Sequence, residues 1–256
     1  MKKSNVNVSV VIPTYNSAQH LERAVISVIE QTYPIHEIII VDDQSVDKTV
    51  ELAKKTLSRF GVNFQVLENV CNSGAAITRQ KGVREAHGSH IAFLDSDDEW
   101  KPNHIQSLVS LFEASPNISF AFSRYEVCID AVPVYYSPVC EILNFKMALK
   151  RTVVATPAVM VPKSSLPGEW EPRRTGQDYW LWLTLLRQYG QAQSTLLCTA
   201  RVHQRSDSLS SNKFQNIADV WQVQEIFGLS KISRMVNMVS YLARALIKVL
   251  SVKKGL

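Results

Sequence analysis

Glycine is scarce in this chain, with nine in 256 residues and none before Gly61. A dinucleotide-binding fingerprint needs three closely spaced glycines after a strand, and a Walker-type loop needs Gly-Lys-Ser/Thr; neither pattern occurs. Cysteine is sparse too. Cys71, Cys128, Cys140 and Cys198 have no paired metal spacing and fall far short of a disulfide scaffold, so reduced, cytosolic thiols are expected. Long apolar runs are missing as well, and the N-terminal run stops at Pro13, too short for a signal-peptide core. From residue 226 to 256 there is no Asp or Glu but six Lys or Arg, which leaves 22 basic against 23 acidic residues before it. The net charge of +5 therefore belongs to the tail. That argues against a protein-wide nucleic-acid surface and for a local anionic partner, the membrane surface first.

What the chain does contain, over its first 115 residues, is an alternation of short β-branched runs and helical patterns. VSVVI (8–12), EIIIV (37–41), FQVLE (64–68) and HIAFL (90–94) are apolar on successive positions. Helical spacing follows each: Leu21, Val25, Val28 and Ile29 in the first case, then stretches through Val50 to Ala53, from Ala75 to Ala86 and from Pro102 to Glu113. Strands apolar on both faces, separated by helices, predict a mostly parallel, doubly wound α/β sheet covered on both sides. From Pro116 onward seven prolines interrupt the pattern. Strands are expected at 118–123, 132–136 and 156–162 and a helix over 178–189, a mixed region that completes a site instead of forming its own domain.

In open α/β sheets ligands bind beyond the carboxyl ends of the strands. Those ends carry Pro13 to Asn16, Asp42 and Asp43, Asn69 to Gly74, and Asp95 to Asp98. In FLDSDDEW (93–100), Asp95, Asp97 and Asp98 crowd behind a buried run, and like charges so close need a cation or bound donors to offset them. Helix capping would use one such side chain, not three. Hard carboxylate oxygens suit Mg²⁺ or Mn²⁺, and magnesium is usually completed by substrate phosphates, so a diphosphate-bearing ligand is expected.

VVIPTYN (10–16), EIIIVDDQSVDKT (37–49), NSGAAITRQKG (72–82), FLDSDDEW (93–100) and GQDYWLWLTLLRQYG (176–190) together resemble, in order and spacing, the family 2 glycosyltransferases of GT-A fold. The resemblance covers roughly residues 7 to 212 and implies roles position by position. Tyr15 would pack on the base of a nucleotide-diphosphate sugar and Asp43 accept a hydrogen bond from it, with Pro13, Asp42 and Ser45 shaping the pocket and Arg79 near the nucleotide. Asp95 would face ribose and diphosphate, and Asp97 the metal, with Asp98 a second ligand. Asp178 matches the second acid of the family's Glu-Asp pair and would be the catalytic base; Gln177 stands where the family has Glu. RVHQRSDSLSSN (201–212) matches the Arg-x-His segment, so His203 would complete the metal or contact the diphosphate, and Arg201 or Arg205 bind phosphate. Trp100, Trp180 and Trp182 are candidates to stack on sugars, although Trp180 and Trp182 cannot share one helical face and one belongs to the core.

The resemblance implies a metal-dependent, inverting glycosyltransferase that moves a sugar from a nucleotide-diphosphate donor to a saccharide or lipid-linked hydroxyl acceptor in cell-surface polysaccharide or glycolipid assembly. Residues 1–212 are expected to form one catalytic domain, with a nucleotide-sugar half (1–115) and an acceptor half (116–212), and 213–256 a helical extension. In the tail, apolar residues recur at 232, 235, 236, 239, 242, 243, 246, 249 and 250, opposite Arg234, Asn237, Tyr241, Arg244, Lys248 and Ser251. This amphipathic basic helix predicts peripheral contact of 232–252 with the cytoplasmic face of a membrane, or packing on the domain or a partner subunit. Three other readings stand beside this one. A sugar-phosphate nucleotidyltransferase lacks its Gly-rich N-terminal loop here, a receiver-like phosphoacceptor module leaves Asp178 and His203 unexplained, and an inactive scaffold keeps the fold alone.

Overall fold

The computed structural model describes residues 6–150, 154–171, 175–204 and 213–254. In chain order the elements are β1 (Val8–Thr14), α1 (Leu21–Ile29), β2 (Glu37–Asp42), α2 (Thr49–Phe60), β3 (Phe64–Glu68), α3 (Ala75–Glu85), β4 (His90–Phe93), β5 (Glu99–Trp100) and α4 (His104–Ala114). They continue with β6 (Ala121–Ile129), β7 (Val132–Tyr136), β8 (Ile142–Asn144), α5 (Phe145–Ala148), β9 (Val159–Pro162), α6 (Gln177–Tyr189), β10 (Gln191–His203), α7 (Lys213–Ile226) and α8 (Lys231–Lys254). One sheet runs β3-β2-β1-β4-β9-β6-β10-β5, with β7 added to β6 and β8 to β10. The pairs β3–β2, β2–β1, β1–β4 and β6–β10 are parallel, and β9 is the antiparallel joint between β4 and β6.

Alternate side chains of the central strands enter two separate cores, which is why these runs are apolar throughout. Val10, Ile12, Ile38, Ile40 and Ala92 pack with Leu21 and Val25 of α1, Leu57 of α2 and Leu108 of α4. Val11, Ile39, Val41, Ile91 and Phe93 face the opposite way, with Val83 of α3, Leu181 and Leu185 of α6, Val223 of α7 and Met238 of α8. At Gly82 a Cβ would lie 2.6 Å from Val11 Cγ1, so the bare backbone is what lets α3 seat this closely on β1.

The mixed region departs from expectation in several places, among them the short β8 and α5 that no pattern marked. The strand expected at 118–123 starts later and runs further, as Ala121–Ile129. The first three residues of TPAVMVP form a single 3₁₀ turn around Pro157, whose missing N–H suits a turn better than a ladder, and only Val159–Pro162 is strand. The longest strand, β10, was not anticipated. Its register shifts between Ser194 and Ala200, and Leu196 sits at φ +60, so the alternation that marks a strand is broken inside it.

Candidate active site

The carboxyl ends of β1, β2 and β4 lie side by side, and hydrogen bonds join the loops that leave them. Asp42, 2% exposed, accepts from Thr14 Oγ1 (2.8 Å), Ser45 N (2.7 Å) and Ser45 Oγ (2.6 Å), while Ser45 Oγ accepts from Asn16 N (2.8 Å). The side chains of Asp42 and Ser45 therefore fix the turn around Pro13 and Tyr15, and Tyr15 stands out with half its surface exposed. Asp43 Oδ1 accepts from Ser73 N and Asn69 Nδ2 and its Oδ2 from Gly74 N, each at 2.8 Å. It thereby ties β2 to the start of α3, where Gly74 turns the chain at φ +83. A hydroxyl contact at 2.7 Å between Ser17 and Ser96 joins the β1 loop to FLDSDDEW.

Around that segment the structure gathers charges that are far apart in sequence. Arg79, buried on α3, donates from Nη2 to Asp95 Oδ1. Burial opposes the charge of Arg79, but Asp95, then Asp178 and Asp98, outweigh it and hold its pKa above the usual guanidinium value. Asp98 is 3% exposed and accepts from His203 N at 2.8 Å. Burial, then Asp95 and Asp97, push its carboxyl well above the usual range, against the opposing pull of that N–H and of Arg23. Arg23, which the sequence did not single out, reaches from α1 to donate to the Asp97 carbonyl at 2.5 Å. Its signal is confined to the fold, since a basic residue on an amphipathic helix has no local mark of a partner 74 residues away.

Asp178 occupies the first turn of α6, behind Gly176, and its Oδ1 accepts from Tyr179 N at 2.8 Å. Burial raises its pKa; the Tyr179 N–H and Arg79 oppose the rise and Asp95 adds to it. Beside it a small cavity is lined by Arg79, Phe93, Trp170, Gln177 and Trp182. Gln177 Oε1, Trp170 Nε1, Trp182 Nε1 and Arg79 Nε, on four of the residues that line it, are buried without a hydrogen-bond partner among the described residues. Trp182 is the core member of the tryptophan pair, packed on Phe93 and Phe120, and Trp180 is partly buried.

Other residues expected at the site are engaged within the protein. Trp100 does not present a face for a sugar: it is buried, stacks on His104 at 4.6 Å and donates from Nε1 to Pro157 O at 2.6 Å. Arg201 Nε donates to Glu126 Oε1 at 2.5 Å and its Nη1 to Glu99 Oε1 at 3.3 Å. Of the expected metal residues, Asp98 Oδ1 accepts from His203 N at 2.8 Å, and the His203 imidazole lies 3.2 Å from Glu99. Among the described residues no three His, Cys, Asp or Glu side chains converge for a metal ion. Arg205 and the rest of RVHQRSDSLSSN beyond Gln204 lie outside the described residues.

Residues 9–159 match the family model described as glycosyl transferase family 2. A Bacillus subtilis (strain 168) chain assigned to teichuronic acid biosynthesis as the glycosyltransferase TuaG is 34% identical over 84% of this chain and 86% of its own length. The Escherichia coli UDP-Glc:alpha-D-GlcNAc-diphosphoundecaprenol beta-1,3-glucosyltransferase WfgD is 28% identical over 92% of each chain. Among solved structures, S. aureus TarS 1-349 in complex with UDP-GlcNAc superposes with a TM-score of 0.72 at 16% identity, covering 92% of this chain and 71% of that one. The mannosyltransferase PcManGT from Pyrobaculum calidifontis, in complex with GDP-Man and Mn²⁺, gives 0.68 at 14% identity over 98% and 74%. The fold is the GT-A fold of these glycosyltransferases. With its family model spanning more than half of its length, the chain belongs to glycosyl transferase family 2.

Proposed function

We propose that the chain is an inverting glycosyltransferase of surface-polysaccharide assembly, moving a sugar from a nucleotide-diphosphate donor to a hydroxyl of a lipid-linked saccharide. The observation that carries this is the single electrostatic cluster in which Arg79 is shared by Asp95, Asp98 and Asp178 at the carboxyl edge of the sheet. The relative WfgD, by its name, uses UDP-glucose and a diphosphoundecaprenol-linked GlcNAc, and TarS and PcManGT bind a UDP-sugar and a GDP-sugar, so donor and acceptor of those classes are supported. Residues 1–212 are read as the catalytic domain, acting at the cytoplasmic face of a membrane.

Tyr15 offers its exposed ring to the base of the donor, on the turn that Asp42 and Ser45 hold rigid. Asp43 has one hydrogen bond at Oδ2, which leaves that oxygen a lone pair for the base. Asp95 orients ribose and diphosphate, fixed by Arg79. Asp178 takes the proton of the acceptor hydroxyl as that oxygen attacks the anomeric carbon, and the nucleoside diphosphate departs on the opposite side. A divalent ion fits the donor set in kind: three carboxylates stand in four positions, burial together with Asp95 and Asp97 disfavours the ionised form of Asp98 so that a cation would relieve it, and a sphere completed by substrate phosphates needs few protein ligands. Asp97 and Asp98 are the residues that would hold Mg²⁺ or Mn²⁺, which when bound stabilises negative charge on the departing diphosphate.

Asp178→Asn keeps size and loses basicity. Transfer is expected to fall by about 10²- to 10⁴-fold with donor binding, read by thermal shift with UDP- or GDP-sugars and Mn²⁺, retained. Wild-type turnover in that variant would remove Asp178 from the mechanism. A chain that no nucleotide sugar stabilises would remove the function.

A further inference from the structure

Helix α8 is amphipathic, and it sits on the protein the unexpected way round. From Lys231 to Leu242 its polar side faces inward: Arg234 and Asn237 are buried, Arg234 pairs with Glu225 at 2.9 Å and lies over the Trp221 ring at 4.5 Å, and Asn237 Nδ2 donates to Gln224 Oε1 at 3.2 Å. Its apolar stripe faces outward. Ile232, Met235, Val236, Val239 and Leu242, spaced as one face of a helix, are 42% to 76% exposed. The sequence repeats that spacing at 243, 246, 249 and 250.

A contiguous outward apolar face on a surface helix marks a place where something docks. Charge selects among occupants: residues 226–256 hold six basic side chains and no acid, and of these only Arg234 is paired inward among the described residues, so a second copy of this chain would bring like charge to like, whereas an anionic lipid surface is attracted. No helix among the described residues is long and apolar enough to cross a membrane, so α8 would lie along one. The inward side of the same helix packs toward the element that carries Asp178: Met238 lies in, and Tyr241 packs against, the core that also holds Tyr179, Leu181 and Trp182 of α6.

We propose that α8 docks this protein on an anionic bilayer through Ile232, Met235, Val236, Val239 and Leu242, and so holds the Asp178 side of the active site at the lipid surface, where a lipid-linked acceptor would enter. Delivery of such an acceptor rests on the function proposed above; docking itself needs no turnover.

The test is flotation of the full chain with phosphatidylcholine vesicles and with vesicles containing phosphatidylglycerol, at low and high salt. Wild type is expected to float with the anionic vesicles and to lose most of that binding at high salt. The Ile232→Ser, Val236→Ser, Val239→Ser triple variant is expected to bind at least about tenfold more weakly with an unchanged melting temperature, because the three positions are exposed. Equal flotation of the triple variant, or no flotation of wild type, overturns the proposal. A concentration-dependent dimer in light scattering that the triple variant abolishes, with vesicles left unbound, overturns it in favour of a second copy. A chain that floats as predicted but transfers no sugar leaves the docking surface standing and counts against the function alone.

Discussion

Gln177 precedes the proposed base, and its Oε1 is buried without a partner among the described residues, beside a cavity that Trp170 and Trp182 also line. A glutamate here would place a second carboxylate beside one whose pKa is already raised. Asp178 must be ionised to accept a proton, so the acid limb of kcat/KM against pH should lie above the ordinary aspartate range in the wild type. Gln177→Glu should move it up by a further one unit, about what a close like charge does. An unchanged or lowered limb would mean that the two carboxyls do not sense each other. Single residues were legible in sequence where the chemistry is local: the strand-end acids and the acid in the first turn of α6 could be named from the pattern. Partners could not be named, because the pairings of Arg79 with Asp95, Arg23 with Asp97 and Arg201 with Glu126 are set by which elements pack together.

Element α6 owes its position to the junction in front of it. Gly176 adopts φ +71, and a Cβ there would lie 2.8 Å from Asp219 Cβ on α7. Gly176→Ala should therefore strain the backbone and displace α7, costing about 1–3 kcal/mol in chemical denaturation. Because Asp178 follows within two residues, kcat should fall with little change in donor KM; an unaffected kcat would uncouple this junction from the base. The parallel strands could be placed from sequence because burial on both faces writes itself as unbroken apolar runs. The long strand β10 could not, since a bulge interrupts it and its ends carry polar residues. The amphipathic character of α8 was legible, but not its orientation, which depends on Trp221, Gln224 and Glu225 of α7 waiting to receive a polar stripe.

At the scale of the whole molecule, the two cores on either side of the sheet make stability a shared property, and one buried histidine makes it depend on pH. His104 is fully buried, stacked on Trp100, with Nδ1 at 2.8 Å from Thr199 Oγ1, and burial lowers its pKa to about 3. The unfolded chain protonates this ring near 6.5 and the folded one near 3, so its contribution is complete above 6.5 and is lost as pH falls through that window. At pH 5 the loss is about 2 kcal/mol. Denaturation midpoints at pH 7.5 and pH 5 should differ more in wild type than in His104→Asn; equal differences would place the acid sensitivity elsewhere. The way α8 is fastened also sets how the protein should be handled. Its inward side is held by Met238 set into the core and by an arginine–glutamate pair, an amide–amide bond and a cation over an indole, polar contacts for which a mild nonionic detergent does not compete. Detergent should therefore lift the protein off lipid with the helix still seated, whereas urea, which competes for such polar contacts, would loosen the seat itself, making detergent the gentler route to an intact preparation.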